Sequence, residues 1–109
     1  MVNGDIYFVT CLSFKNPHGV VFVEDLSNTD VAAVGPTLEA HPRFPAGANI
    51  VFAQVLENGS MAVRLWQKGV GEVDFSPEGA CVAGAAAIML QRVLDHEVNV
   101  NMGGRSYTV

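Results

Sequence analysis

The run from Gly79 to Leu90 carries no charged or strongly polar side chain, and it constrains the fold of this chain more than any other segment. With Pro77 suited to a first helical position, the sequence predicts a helix from Pro77 to about Leu94. Its first three turns have no polar face, so the helix has to be enclosed on all sides. Alanine and glycine dominate it, which lets neighbouring backbone come close. The run is also shorter than the roughly 20 residues that a membrane span requires.

The flanking segments must supply the enclosure. Asp5 to Phe14 is rich in β-branched and aromatic residues and reads as a strand, with Ile6, Phe8, Leu12 and Phe14 able to line one face. Lys15-Asn16-Pro17-His18-Gly19 reads as a break, because Pro17 restricts Asn16 and Gly19 tolerates a positive φ. A short apolar strand then runs from Gly19 to Val23. Ser27-Asn28-Thr29-Asp30 offers N-caps for a short helix starting at Val31, which Gly35-Pro36 is expected to interrupt before a further turn through Leu38 and Ala40. His41 to Gly47 reads as a loop. Ala48 to Leu56 reads as a strand with Ile50, Phe52 and Val55 in the core, and Asn58-Gly59 turns it into a second strand, Met61 to Trp66. Gln67 to Phe75 reads as a loop, and Glu97 to Met102 and Arg105 to Val109 as closing strands. The expected architecture is one α+β domain over residues 1–109, an antiparallel or mixed sheet wrapped around one central hydrophobic helix.

Composition narrows the function classes. Six Lys plus Arg stand against eleven Asp plus Glu, a net charge of −5 that repels phosphate backbones, so nucleic acid is not an expected partner. Half the residues are apolar, which argues against disorder. No secretory signal is read at Met1 to Asp5, and the expectation is a soluble cytoplasmic protein without a membrane partner. Cys11 and Cys81 lie in unlike contexts and read as free, buried thiols. His18, His41 and His96 show no metal-ligand spacing, and Gly69-Val70-Gly71 lacks the later glycine and the context of a dinucleotide loop.

The order and spacing of several short motifs carry more information. Asn16-Pro17-His18, Gly35-Pro36, Phe44-Pro45, Asn49, Gly69-Val70-Gly71-Glu72 and Gly79-Ala80-Cys81 together resemble the second domain of diaminopimelate epimerase, over nearly the whole chain. The resemblance implies about half of a two-domain, cofactor-independent amino-acid racemase of lysine and cell-wall synthesis. In that family each domain wraps strands about a central helix, the substrate lies between the halves, and one thiolate from each half handles the α-proton. By this resemblance Asn16, His18 and Asn49 match retained positions of the ligand motifs, although Lys15 replaces the glycine before Asn16. Gln67 and Lys68 stand where the family has Glu-Arg, so a carboxylate is lost and a planar guanidinium fork becomes a point charge. Phe75-Ser76-Pro77-Glu78 stands where the family has Ala-Cys-Gly-Ser or Ala-Cys-Gly-Thr.

That last departure reverses the chemistry of the helix start. A thiol of ordinary pKa about 8.5 is activated at a helix N-terminus, whereas a serine hydroxyl is too weak an acid to shuttle an α-proton without an adjacent base. Pro77 removes an N–H from the anion-binding end of the helix, and Glu78 places a carboxylate where a substrate carboxylate would rest. Ser76 is better suited to capping the helix than to nucleophilic attack, and Cys81 reads as a packed core residue. Asn16 and His18 have an alternative role in stabilising their own turn. The expectation is an epimerase-type domain without catalytic power as it stands, with a small amino-acid ligand and no cofactor or metal. Alternatives are a self-associating module that forms a homodimer, and an epimerase half completed by a partner domain.

Overall fold

A strand that is apolar on both faces needs cover on both, and Asn49–Val55 is that strand, with Ile50, Val51, Phe52 and Ala53 fully buried. The computed structural model describes residues 9–14, 16–42, 44–56, 59–73, 76–90, 98–102 and 105–109. They form β1 (Val9–Phe14), β2 (Asn16–Phe22), a 3₁₀ turn (Leu26–Asn28), α1 (Val31–Glu39), β3 (Asn49–Val55), β4 (Met61–Gln67), β5 (Gly71–Val73), α2 (Pro77–Met89), β6 (Asn99–Met102) and β7 (Arg105–Thr108).

The strands make one sheet in the order β1-β2-β3-β4-β6-β7. It is of the mixed kind, because β2 with β3 and β4 with β6 run parallel while the other pairs are antiparallel. One edge of β4 is shared: Met61 and Ala62 pair with β6, and Leu65 to Gln67 pair with β5.

Helix α2 covers one face, where Ala80, Ala83, Ala86 and Ala87 pack on Val20, Val51, Val63, Leu65 and Val100. The alanines allow a close approach, and glycine allows a closer one: a Cβ added at Gly84 would lie 2.7 Å from Val109. Strands β1, β2, β3, β4, β6 and β7 all reach α2, so the sheet curls about it as expected. The enclosure is not complete. Met89 and Leu90 at the end of α2 are 63% and 44% exposed, and Cys81 is only partly buried. An apolar run states a need for cover without determining how far the strands extend over it.

The opposite face is covered by α1, through Val31, Val34 and Leu38 on Val21, Ile50 and Phe52. Asp30 caps α1 by accepting from the Ala33 N–H at 3.1 Å. Gly35-Pro36 does not interrupt it. Pro36 removes the bond to the Ala32 carbonyl, but Ala32 is exposed, so water can meet that acceptor while Val34 and Leu38 stay packed. Gly35 is the contact point with β4, where an added Cβ would fall 2.6 Å from Trp66 Cγ. The Trp66 indole N–H donates to Glu39 Oε1 at 3.1 Å.

Other expectations need correcting. Asn16-Pro17-His18 lies inside β2 rather than in a turn, because the reversal is so tight that Phe14 already pairs with Asn16. The stretch read as a loop after Gln67 contains β5, made possible by Gly69 and Gly71 at φ +77° and +110°. Cys11 is free but exposed, because it lies on β1 at the sheet edge and, among the described residues, α1 makes no contact with that strand. Val55 is partly buried, packed on the α2 side. The expectations for Asp5 to Phe8, Lys15, Asn58, the helix beyond Leu90, His96 and Glu97, and for the side chains of Leu12 and Phe14, fall outside what is described. Among the described residues no helix is long and apolar enough to cross a membrane.

Gly35→Ala is expected to lower the unfolding free energy by about 1–3 kcal/mol through overpacking against Trp66. Alanine's helix propensity would by itself raise it by about 1 kcal/mol, so the sign measured by urea denaturation decides whether the close contact dominates.

Candidate functional site

Strand register brings the N-terminal ends of β2 and β3 and the C-terminal end of β4 to one end of the sheet. His18 pairs with Asn49, and Asn49 and Gln67 each lie one residue beyond the Ile50–Trp66 pair. Side chains alternate along a strand, so His18, Asn49 and Gln67 share the face of Val20, Val51 and Leu65, the face that α2 covers. The first turn of α2 comes down at the same end of β4, where a Cβ at Gly79 would lie 3.3 Å from Leu65 and from Met102.

Asn49 organises this corner. Its Oδ1 accepts the Lys68 backbone N–H at 2.8 Å, and its Nδ2 lies 3.4 Å from His18 Nε2. Because Oδ1 is committed to an N–H donor, the side facing His18 is the amide NH₂, which makes Nε2 the acceptor and puts the imidazole proton on Nδ1. His18 is 1% exposed, so its role is to brace Asn49 from behind rather than to meet solvent. The turn reading of His18 therefore gives way to a cross-strand one.

Beside Asn49 is a cavity of about 320 Å³ bordered by Pro17, Ala46, Gly47, Ala48, Asn49, Gln67 and Lys68. Three candidates from the sequence thus meet in one place. The wall of Ala46, Gly47 and Ala48 was not anticipated, since His41 to Gly47 reads only as loop and Ala48 only as the start of a strand. The available signal was Gly47, which adopts φ +82° and receives the Lys68 side chain so closely that an added Cβ would lie 3.0 Å from Cδ and Cε. Asn16 opens β2 beside Pro17.

The second group is the start of α2. Ser76 is the N-cap, with extended backbone at φ −158° and ψ 117°, and its Oγ accepts the Gly79 N–H at 3.1 Å. Its own N–H points to Met102 Sδ at 3.1 Å. Pro77, the first helical residue, has no N–H to offer. Of the first three helical donors only that of Glu78 remains for an anion, so the end of α2 is a weak cradle. Glu78 Oε1 is itself buried without a hydrogen-bond partner. Neither Ser76 nor Glu78 borders the cavity.

Arg64 was not singled out by sequence, and it holds the outer layer together. Its Nε and Nη2 donate to both oxygens of Glu72 at 2.8 Å, and Nη1 donates to the carbonyls of Leu26 and Thr29. The hydrogen bonds with Glu72 raise the Arg64 pKa above its ordinary value, against the opposing effect of burial. Glu72, part of the glycine-rich motif, is thereby spent on structure rather than on ligand.

Ser76→Ala is expected to cost about 1 kcal/mol of stability through loss of the cap. Asn49→Ala should cost about 1–3 kcal/mol by leaving the Lys68 N–H unmet, and should speed hydrogen exchange at Lys68. Unchanged exchange at Lys68 would refute the role given to Asn49.

Comparison with known proteins places this geometry. The family model for diaminopimelate epimerase matches residues 10–109. Diaminopimelate epimerase of Moorella thermoacetica is 43% identical over 91 residues, covering 84% of this chain and 33% of that protein. The enzyme of Pseudomonas paraeruginosa is 44% identical over 105 residues, covering 95% and 38%. The chain therefore spans between about a third and two fifths of these relatives' length, less than the half expected from sequence. Among solved structures, a phenazine biosynthesis PhzF-family protein of Enterococcus faecalis superposes with a TM-score of 0.67 at 15% identity, over 94% of this chain and 38% of that one. A putative PhzC/PhzF protein of Clostridium difficile gives a TM-score of 0.65 with the same coverage and identity. These two likenesses show the fold. Together with the family match over residues 10–109, the sequence identities establish that this chain belongs to the diaminopimelate epimerase family.

Proposed function

We propose that this chain is an epimerase-type ligand-binding domain that does not itself move an α-proton. The observation that carries the proposal is the Ser76 hydroxyl, held against the Gly79 N–H at the position where the family resemblance puts a thiol. A thiolate would be favoured by the helix N-terminus and would have a proton affinity matched to shuttling. A hydroxyl committed as acceptor to the backbone has neither property. Pro77 and Glu78 support the same reading, since one removes a donor for a substrate carboxylate and the other introduces a like charge.

The ligand-contacting side survives better. Asn49, Gln67 and Lys68 border one cavity, with His18 behind Asn49, and this supports retained binding of a small amino-acid-like ligand without a cofactor. A second copy of the chain, or a complementary epimerase domain, is the partner proposed to cover the site. Val70 favours it, an apolar residue 68% exposed in the turn that Lys68 opens. The proposed setting is cytoplasmic, in or beside lysine and cell-wall precursor synthesis.

The protein incubated with diaminopimelate in deuterated water should show no deuterium incorporation at the α-carbon above the protein-free control. Incorporation that Ser76→Ala removes would overturn the proposal. Sedimentation velocity over a wide concentration range checks self-association, and a monomer throughout would leave only the complementary-domain partner.

A further inference from the structure

We propose that Arg64 is a positioning residue: by gripping Glu72 it fixes the β4–β5 hairpin, and so ties one wall of the cavity to the turn that precedes α1. This rests on the reading of the cavity as the ligand site and adds what holds that wall in place.

Strand β5 has little packing of its own. It is three residues long, Gly71–Val73, and none of the three is fully buried. Gly71 has no side chain to pack, Glu72 is exposed, and Val73 lies partly buried against the core on the α2 side. The connection from β4 passes through Gly69 at φ +77° and returns through Gly71 at φ +110°, so residues of high backbone freedom lie on both sides of Val70. A hairpin of this kind takes its position from whatever grips its ends.

Two grips are visible. Glu72 pairs with Trp66 across the strands, so its side chain leaves the sheet on the face of Trp66, and Arg64 lies two residues back along β4 on that same face. Arg64 Nε and Nη2 reach the two Glu72 oxygens at 2.8 Å, while Nη1 donates to the Leu26 carbonyl at 3.1 Å and the Thr29 carbonyl at 3.0 Å. One planar guanidinium thereby joins β5 to the turn before α1. Lysine would keep the charge but offers a single nitrogen, which cannot serve both ends. The second grip is Asn49 Oδ1 on the Lys68 N–H at 2.8 Å. Asn49 borders the cavity and Arg64 does not, so Arg64 acts on the cavity through the hairpin that carries Gln67 and Lys68.

Amide hydrogen exchange of the intact chain, read residue by residue by NMR, separates positioning from general stabilisation. Glu72→Gln removes the ion pair at an exposed residue and leaves Arg64 its two carbonyls. It is expected to speed exchange at Lys68 and Val70 by about tenfold while Val51 and Phe52 in β3 keep their rates. Arg64→Lys should do the same and also speed exchange at Thr29, whose N–H donates to the Leu26 carbonyl. Wild-type rates at Lys68 and Val70 in both variants would overturn the inference, and so would an equal acceleration at Val51 and Phe52. Calorimetric titration with diaminopimelate then tests the link to the site: binding weakened about tenfold by Glu72→Gln supports it, and binding unchanged beside faster hairpin exchange overturns it. If the wild-type chain binds no diaminopimelate at millimolar concentration, the ligand reading itself fails, an outcome that the exchange rates keep distinct from failure of the Arg64 grip.

Discussion

The close approach of α2 to the sheet is the constraint on which the rest of this structure depends. A helix with no polar stripe is stable only if apolar surface meets it along most of its circumference, and strands can come that close only where the helix offers Ala80, Ala83, Gly84 and Ala87. The curl of the sheet follows from that need. It exposes the other face of β3, where Ile50 and Phe52 require α1 as a second cover. Gly35 and Gly84 mark the places where helix backbone and sheet side chains have no room for a Cβ.

The candidate site is a by-product of the same packing. Where α2 begins, its first N–H groups are unsatisfied, and the ends of β2, β3 and β4 bring polar side chains to the same end of the sheet. A relative that binds an anion there would leave those N–H groups open. Here Ser76 occupies one, and Pro77 removes another. The helix end is thus closed by its own residues, while the corner at Asn49 and Lys68 keeps a cavity and a positioned charge.

The start of α2 was legible because capping is local: a serine followed by proline and glutamate determines its own geometry within one turn. The strand and hairpin from Ala48 to Trp66 were legible for a similar reason, their apolar pattern and turn residues being contiguous. The family motifs identified Asn49, Gln67 and Lys68 as candidates, but not that Asn49 is engaged by His18 and the Lys68 backbone. Helix α1 running through Pro36, strand β5, the exposure of Cys11 and the Arg64–Glu72 pair were not legible. Each depends on segments distant in sequence: packing of Val34 and Leu38 on the sheet, the edge of β4 that β5 joins, the place of β1 at the end of the strand order, and carbonyls presented by Leu26 and Thr29.

By itself the sequence determined that a buried helix begins at Ser76 with its own capping chemistry, because those properties belong to adjacent residues. It also determined the family, through motifs whose order survives substitution. Only the tertiary structure decided which polar groups are already engaged and which border the cavity. Hydrogen-bond partners are set by strand register and helix docking, and these bring together Pro17, Gly47, Asn49 and Lys68 from segments that no local pattern connects.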